Sequence, residues 1–161
     1  MFGRARVPGV VKAVALEPGE RRRSWALTAS GDPVVATDLG LRLPGSPLLE
    51  WADVEKAIWK RPLLEVVQVS DVSGRGPRWR LQLEQEQDLP DTVRSAVSAS
   101  VGWSTHVTLM PSGGVRAVGR RRPGREDLDW QLVYDPGTDL DDPQVQAQAQ
   151  AVLLDARRTI G

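Results

Sequence analysis

Along most of the chain, apolar residues recur at every second position, the pattern of strands packed on one face. Trp25, Leu27 and Ala29 alternate with Ser24, Ala26, Thr28 and Ser30, which predicts a strand with Trp25 and Leu27 turned to the core. Ser30-Gly31-Asp32-Pro33 is a turn signal, and Val34 to Thr37 resumes extended structure. Leu39, Leu41 and Leu43 then share one face, and Pro44-Gly45-Ser46-Pro47 ends that strand, because proline has no N–H for a ladder. In LLEWADVEKAIWKRP the signals conflict. Trp51, Val54 and Ile58 have helical spacing, whereas Trp59 and the surroundings favour a strand. Leu63 to Val69 is apolar on both faces, as for a central strand. Beyond the polar loop SDVSGRGP, Trp79, Leu81 and Leu83 alternate inward, predicting a hairpin with the preceding strand.

The period changes at Asp88. Pro90 near a helix start, Asp91, and Val93, Val97 and Val101 at every fourth position predict a helix over 90–101. Extended structure returns at Thr105-Val107-Leu109, over Val115 to Arg122, and over Leu128 to Tyr134. Asp142 as N-cap and Pro143 at the first helical position open a last helix, with Val145, Ala149, Val152, Ala156 and Ile160 on its apolar face. Arg157 and Arg158 sit in its final turn, at the negative end of the dipole. The layout is six strands, a helix, three strands and a helix. It predicts an α+β chain built from hairpins.

Composition adds exclusions. A chain of 161 residues forms one domain, or one with an appended subdomain; here residues 1–101 form a main unit and residues 102–161 an extension packed on it. The absence of cysteine excludes disulfides, thiolate metal sites and a cysteine nucleophile. Equal numbers of basic and acidic residues, 21 each, remove any argument from global charge for nucleic acid or an anionic membrane. No apolar run approaches the roughly 20 residues that span a bilayer. The start, MFGRARVPGVVKAVAL, has too short an apolar core between Pro8 and Lys12 for a signal peptide, so a cytoplasmic location is expected.

The stretch from Leu16 onward carries a resemblance. Leu16-Glu17-Pro18-Gly19-Glu20, an alternating strand, a tight turn, then Val34-Val35-Ala36-Thr37-Asp38 running into Leu39-Gly40-Leu41-Arg42-Leu43 resembles the start of bacterial pleckstrin-homology-like domains. Glu50-Trp51-Ala52-Asp53-Val54 is similar to the tryptophan-bearing segment that follows in them. The likeness covers residues 16–101 and implies a partly open antiparallel barrel closed at one end by the helix 90–101. The chain departs from it by having six strands where the family has seven, and Leu39-Gly40 where an arginine is usual. The whole chain also resembles an uncharacterised actinobacterial family with the same layout, ending in a "YDPG-DDP" segment before the last helix, which implies no activity.

Catalytic motifs are missing: there is no G-x-S-x-G elbow, no phosphate-binding G-x-x-x-x-G-K-[ST] loop and no strand-linked G-x-G-x-x-G. His106 is the single histidine, and Ser104 shares its strand face, but no third group for a triad is evident, which favours a histidine that is exposed or satisfied by a neighbour. Asp139, Asp141 and Asp142 lack the distal bidentate glutamate of a calcium loop, and capping explains them better. Of six tryptophans, Trp25, Trp79 and Trp130 belong to core faces, while Trp51, Trp59 and Trp103 lie at element edges where one exposed ring would mark a contact surface.

Arginine is the most informative polar residue. Arg21-Arg22-Arg23 precedes the first strand rather than occupying its hairpin loop, so a phosphoinositide site is not indicated. Arg116, Arg120, Arg121, Arg122 and Arg125 crowd one hairpin, and Arg116, Arg120 and Arg122 fall on one strand face; Arg116, Arg120, Arg121 and Arg122 are the candidate anion site. The competing reading is an edge strand guarded by charge and neutralised by Glu126, Asp127 and Asp129. The expected function is a non-catalytic binding module for a protein partner, with no cofactor and no metal. The alternative is recognition of an anionic ligand, nucleic acid or anionic lipid, through the Arg116–Arg122 strand.

Overall fold

The structure is a computed structural model that describes residues 6–69 and 76–160. Its elements are α1 (Gly9–Lys12), β1 (Arg22–Thr28), β2 (Pro33–Thr37), β3 (Gly40–Arg42), β4 (Leu49–Glu50), β5 (Val54–Lys60), β6 (Leu63–Gln68), β7 (Arg78–Gln85), α2 (Leu89–Ala99), β8 (Val101–Thr108), β9 (Gly114–Arg120), β10 (Asp129–Tyr134) and α3 (Pro143–Ile160). A seven-stranded antiparallel sheet runs β4-β3-β2-β1-β7-β6-β5, and a second sheet runs β10-β9-β8. The first does not close: β4 and β5 are its two edges. No helix among the described residues is long and apolar enough to cross a membrane.

Seven strands precede α2, one more than the alternation predicts. The extra strand, β4, is only two residues long, too short to show a period, yet it pairs with β3 through Gly40–Glu50 and Leu41–Leu49. This close approach accounts for Gly40: a Cβ there would stand 2.3 Å from the Leu49 carbonyl oxygen. The ambiguous 51–60 segment divides. Trp51–Asp53 is one turn of 3-10 helix and Val54–Lys60 is a strand. The helix expected over 90–101 ends at Ala99, and Val101 opens β8 instead of extending the Val93–Val97 stripe. Most of the SDVSGRGP loop lies outside the described residues.

The main core lies between the first sheet and α2, where Ala26, Leu41, Leu64, Val66, Leu83, Leu89 and Val93 meet. Trp51 belongs to this core, its indole N–H donating to the Thr37 carbonyl at 3.0 Å, so the ring at an element edge is buried rather than displayed. Trp25 corrects the expected inward face of β1. It lies in a separate cluster with Val11 and Val35, flanked by Val7, Val14 and Leu27, while Ala26 fills the main core. Alternation identifies two faces of a strand but not which one meets the larger core. Here the N-terminal segment around α1 covers the second face, so both are packed.

The second sheet buries one face against α3 through Leu109, Val115, Val145 and Ala149, supported by Leu132, Tyr134 and Val152. Asp142 caps α3 as expected, accepting the Gln144 N–H at 2.9 Å. Ile160 at the far end is exposed. Among the described residues the two sheets share no buried apolar cluster, and polar side chains join them.

Candidate functional site

The junction between the sheets is built by the arginines that the sequence gathers into one hairpin. β9 is the central strand of its sheet, pairing with β8 and β10, so its charges are not guarding an edge. Arg120 ends β9 with 3 % of its surface exposed. Its guanidinium donates to Gln131 Oε1 at 2.9 Å, Ser100 Oγ at 2.8 Å and the carbonyls of Val97 at 3.4 Å and Glu55 at 3.2 Å. Every one of these acceptors is neutral, and burial pushes the Arg120 pKa down, partly offset by the charges of Glu55 and Asp53. Gln131 completes the joint by donating to the Ala52 carbonyl at 2.8 Å. Two carbonyls near the start of β5 are thereby occupied by side chains of the second sheet.

Arg122, two residues further, lies beyond the strand and bonds three carboxylates: Glu50 at 2.7 Å, Asp53 at 2.6 Å and Asp129 at 2.6 Å. The hydrogen bonds it donates to Asp53, foremost, and to Asp129 raise its pKa against the opposing effect of burial. Arg125 pairs with Asp127 at 3.1 Å. Neutralisation by Asp127 and Asp129 is therefore realised, but the four arginines do not form one displayed patch. Arg120 and Arg122 turn inward as joints, and Arg121 is exposed beside Gly102. Arg116 is exposed, and among the described residues its side chain has no ion-pair or hydrogen-bond partner. Sequence reasoning finds the positions and misses their fates, because a period of two says nothing about an opposing sheet.

Between the sheets lies a cleft of about 650 Å³. Arg116, Val118 and Arg120 of β9 and Val133 of β10 line it from the second sheet, Lys56 of β5 and Arg78 of β7 from the first, and the segment following β10 also contributes to its wall. Ser104 also lines it, and the carboxylates of Glu55 and Asp135 are its acidic groups among the described residues. Lys56 and Arg78 escaped the sequence reading because they alternate outward on strands of the other unit. No signal local to either strand places them opposite Arg116.

His106 does have a carboxylate partner. Its Nε2 lies 2.7 Å from Asp135 Oδ2, across β9. The pair meets over Gly114, where a Cβ would stand 2.1 Å from Asp135 Oδ2 and 2.8 Å from His106 Nε2. Among the described residues no hydrogen bond joins Ser104 to His106, so the pair lacks a hydroxyl in contact. Asp139 accepts the Asp141 N–H at 3.1 Å in a local turn. No group of three or more metal-ligating side chains occurs among the described residues.

At the other end of the chain, Glu20 ties the Pro18-Gly19-Glu20 segment to β3. Its carboxylate accepts from Arg42 Nε at 3.1 Å, and its side chain is fully buried. The Arg42 guanidinium holds the Glu20 pKa down at about 2, with desolvation acting against it. This residue of the resemblance is thus a structural clamp, remote from the cleft. Comparison of the chain with protein-family models, with curated proteins and with solved structures gives no match.

Proposed function

We propose that the chain is a non-catalytic binding module that holds a protein partner in the cleft between its sheets, with residues 16–101 forming a pleckstrin-homology-like unit. Seven antiparallel strands with α2 against their inner face support the second part, together with the residues of the Leu16–Val54 stretch. One observation carries the first. The cleft runs beside β10, an edge strand whose outer side has no strand paired to it among the described residues. An unpaired edge offers main-chain donors and acceptors to an extended segment, and the flanking cleft offers room for its alternate side chains. A volume of about 650 Å³ lies within the range of small-ligand pockets and accommodates a few side chains.

A photo-reactive amino acid placed at Ser104, which is exposed and lines the cleft, tests this in cells that express the chain. A discrete protein adduct from position 104, absent when the same group replaces the exposed Gln82 of β7, is the expected result. No adduct from position 104, or the same adducts from both positions, overturns the reading.

A further inference from the structure

We infer that the partner segment is acidic: an extended stretch whose carboxylates face Arg116 and Lys56 while an apolar side chain rests on the half-buried Val133. This rests on the cleft being the binding site. Among the described residues that line it, four are cationic, Lys56, Arg78, Arg116 and Arg120, against the two acids Glu55 and Asp135. Asp135 is engaged by His106 at 2.7 Å, and the Glu55 carboxylate acts on Arg120 through space without bonding it, so the cleft keeps an excess of two cations among its described residues. Arg78 is bonded to Glu65 at 2.9 Å, which leaves the exposed Arg116 and Lys56, neither ion-paired among the described residues, as the cations available to a ligand.

Arg120 strengthens the case from below. A guanidinium with 3 % exposure whose bonds all run to neutral oxygens keeps its full charge without a bonded counter-ion. A charge taken out of water acts through a low dielectric, so Arg120 adds a positive field on one side of the cleft, offset in part by the carboxylates of Glu55 and Asp53. Arg116 lies on the same strand face as the buried Val118 and Arg120, and the half-buried Val133 pairs beside it on β10, so charge and apolar surface adjoin there. That neighbourhood suits a strand carrying both carboxylates and aliphatic side chains on one face.

A protein segment is favoured over nucleic acid or membrane. The chain's formal net charge is zero, so no long-range field gathers a polyanion. The cations also line a recess between two sheets rather than a projecting surface that meets a bilayer or a duplex.

The test uses a ten-residue blocked peptide of alternating glutamate with valine and serine, and matched peptides with glutamine or lysine for glutamate. Binding to the full chain is followed by calorimetry at low and moderate salt. The acidic peptide is expected to bind, and to weaken roughly tenfold on raising salt, since each close charge pair is screened. Arg116→Glu and Lys56→Glu are each expected to lower affinity by about tenfold or more, with unchanged circular dichroism, while Arg94→Glu on α2 leaves it within about twofold. Tighter binding of the glutamine or lysine peptide overturns the acidic assignment but leaves the cleft a peptide site. Tighter binding of single-stranded oligothymidylate or of anionic phospholipid vesicles replaces the protein partner with that polyanion. Absence of binding by every peptide overturns the inference outright, and the cross-linking at position 104 then reports separately on the cleft.

Discussion

Arg120 and Arg122 sit two positions apart and do different physical work. Arg120 satisfies buried oxygens on both sheets, so Arg120→Ala strands those acceptors and opens a void. A loss of about 3 kcal/mol by urea unfolding is expected. Arg120→Lys recovers little of it, because an ammonium cannot reproduce a planar fork toward four acceptors. Arg122 holds together three half-exposed carboxylates, and Arg122→Ala is expected to cost about 1–2 kcal/mol, shrinking at high salt. Glu20 gives the pH signature. Its pKa falls from 4.5 to about 2 on folding, so its contribution is complete above pH 4.5 and is lost as the pH drops toward 2. The stability gap between the wild type and Glu20→Gln, up to about 3 kcal/mol near neutrality, is expected to close over that window; a gap constant with pH contradicts the clamp.

At the scale of elements, two glycines govern how strands approach. A side chain at Gly40 meets the backbone of Leu49, which cannot swing aside, whereas one at Gly114 meets the ends of two side chains that can. Gly40→Ala is therefore expected to unpair β3 from β4 at a cost of about 2–4 kcal/mol, and Gly114→Ala to cost less, about 1–2 kcal/mol. The cost at Gly114 is expected to fall in an Asp135→Ala background, where the obstruction is gone, and a double-mutant cycle measures that coupling. Full additivity in the cycle contradicts the contact. The same scale shows why alternation reads some strands well and others poorly. Trp79, Leu81 and Leu83 face the main core as their spacing predicts, because β7 has one apolar face. In β1 both faces are apolar enough to pack, and Trp25 goes to the lesser cluster under α1.

For the whole molecule, the question is how two units with separate apolar clusters behave as one. The described contacts joining them run largely through Arg120, Arg122 and Gln131 to Ala52, Glu55, Glu50 and Asp53. A polar joint of this kind is specific in geometry and modest in energy, so it sets the cleft's shape more than its stability. The wild type is expected to unfold in one transition. The pair Arg120→Met and Gln131→Leu is expected to split it, the β8–β10 and α3 unit melting first because its cluster is smaller. Backbone hydrogen exchange resolves the order, and uniform protection across both units in the variant contradicts it.

The linear chain by itself determined the strand-rich α+β layout, most of the turns and the last helix with its cap, since these depend on period, proline and glycine, and capping residues within a few positions. It also located the arginines of β9. Only the tertiary structure decided that β4 exists, that Trp25 faces α1, and that Arg120 and Arg122 become internal joints while Arg116 stays exposed opposite Lys56. The arginine outcomes depend on what a side chain meets across 60 or more residues, as Arg120 meets Glu55 and Arg122 meets Asp53, and the other two on how neighbouring segments fold back to pair or pack. A strand's own pattern carries the two faces it presents, but the partner that covers each face is chosen by packing.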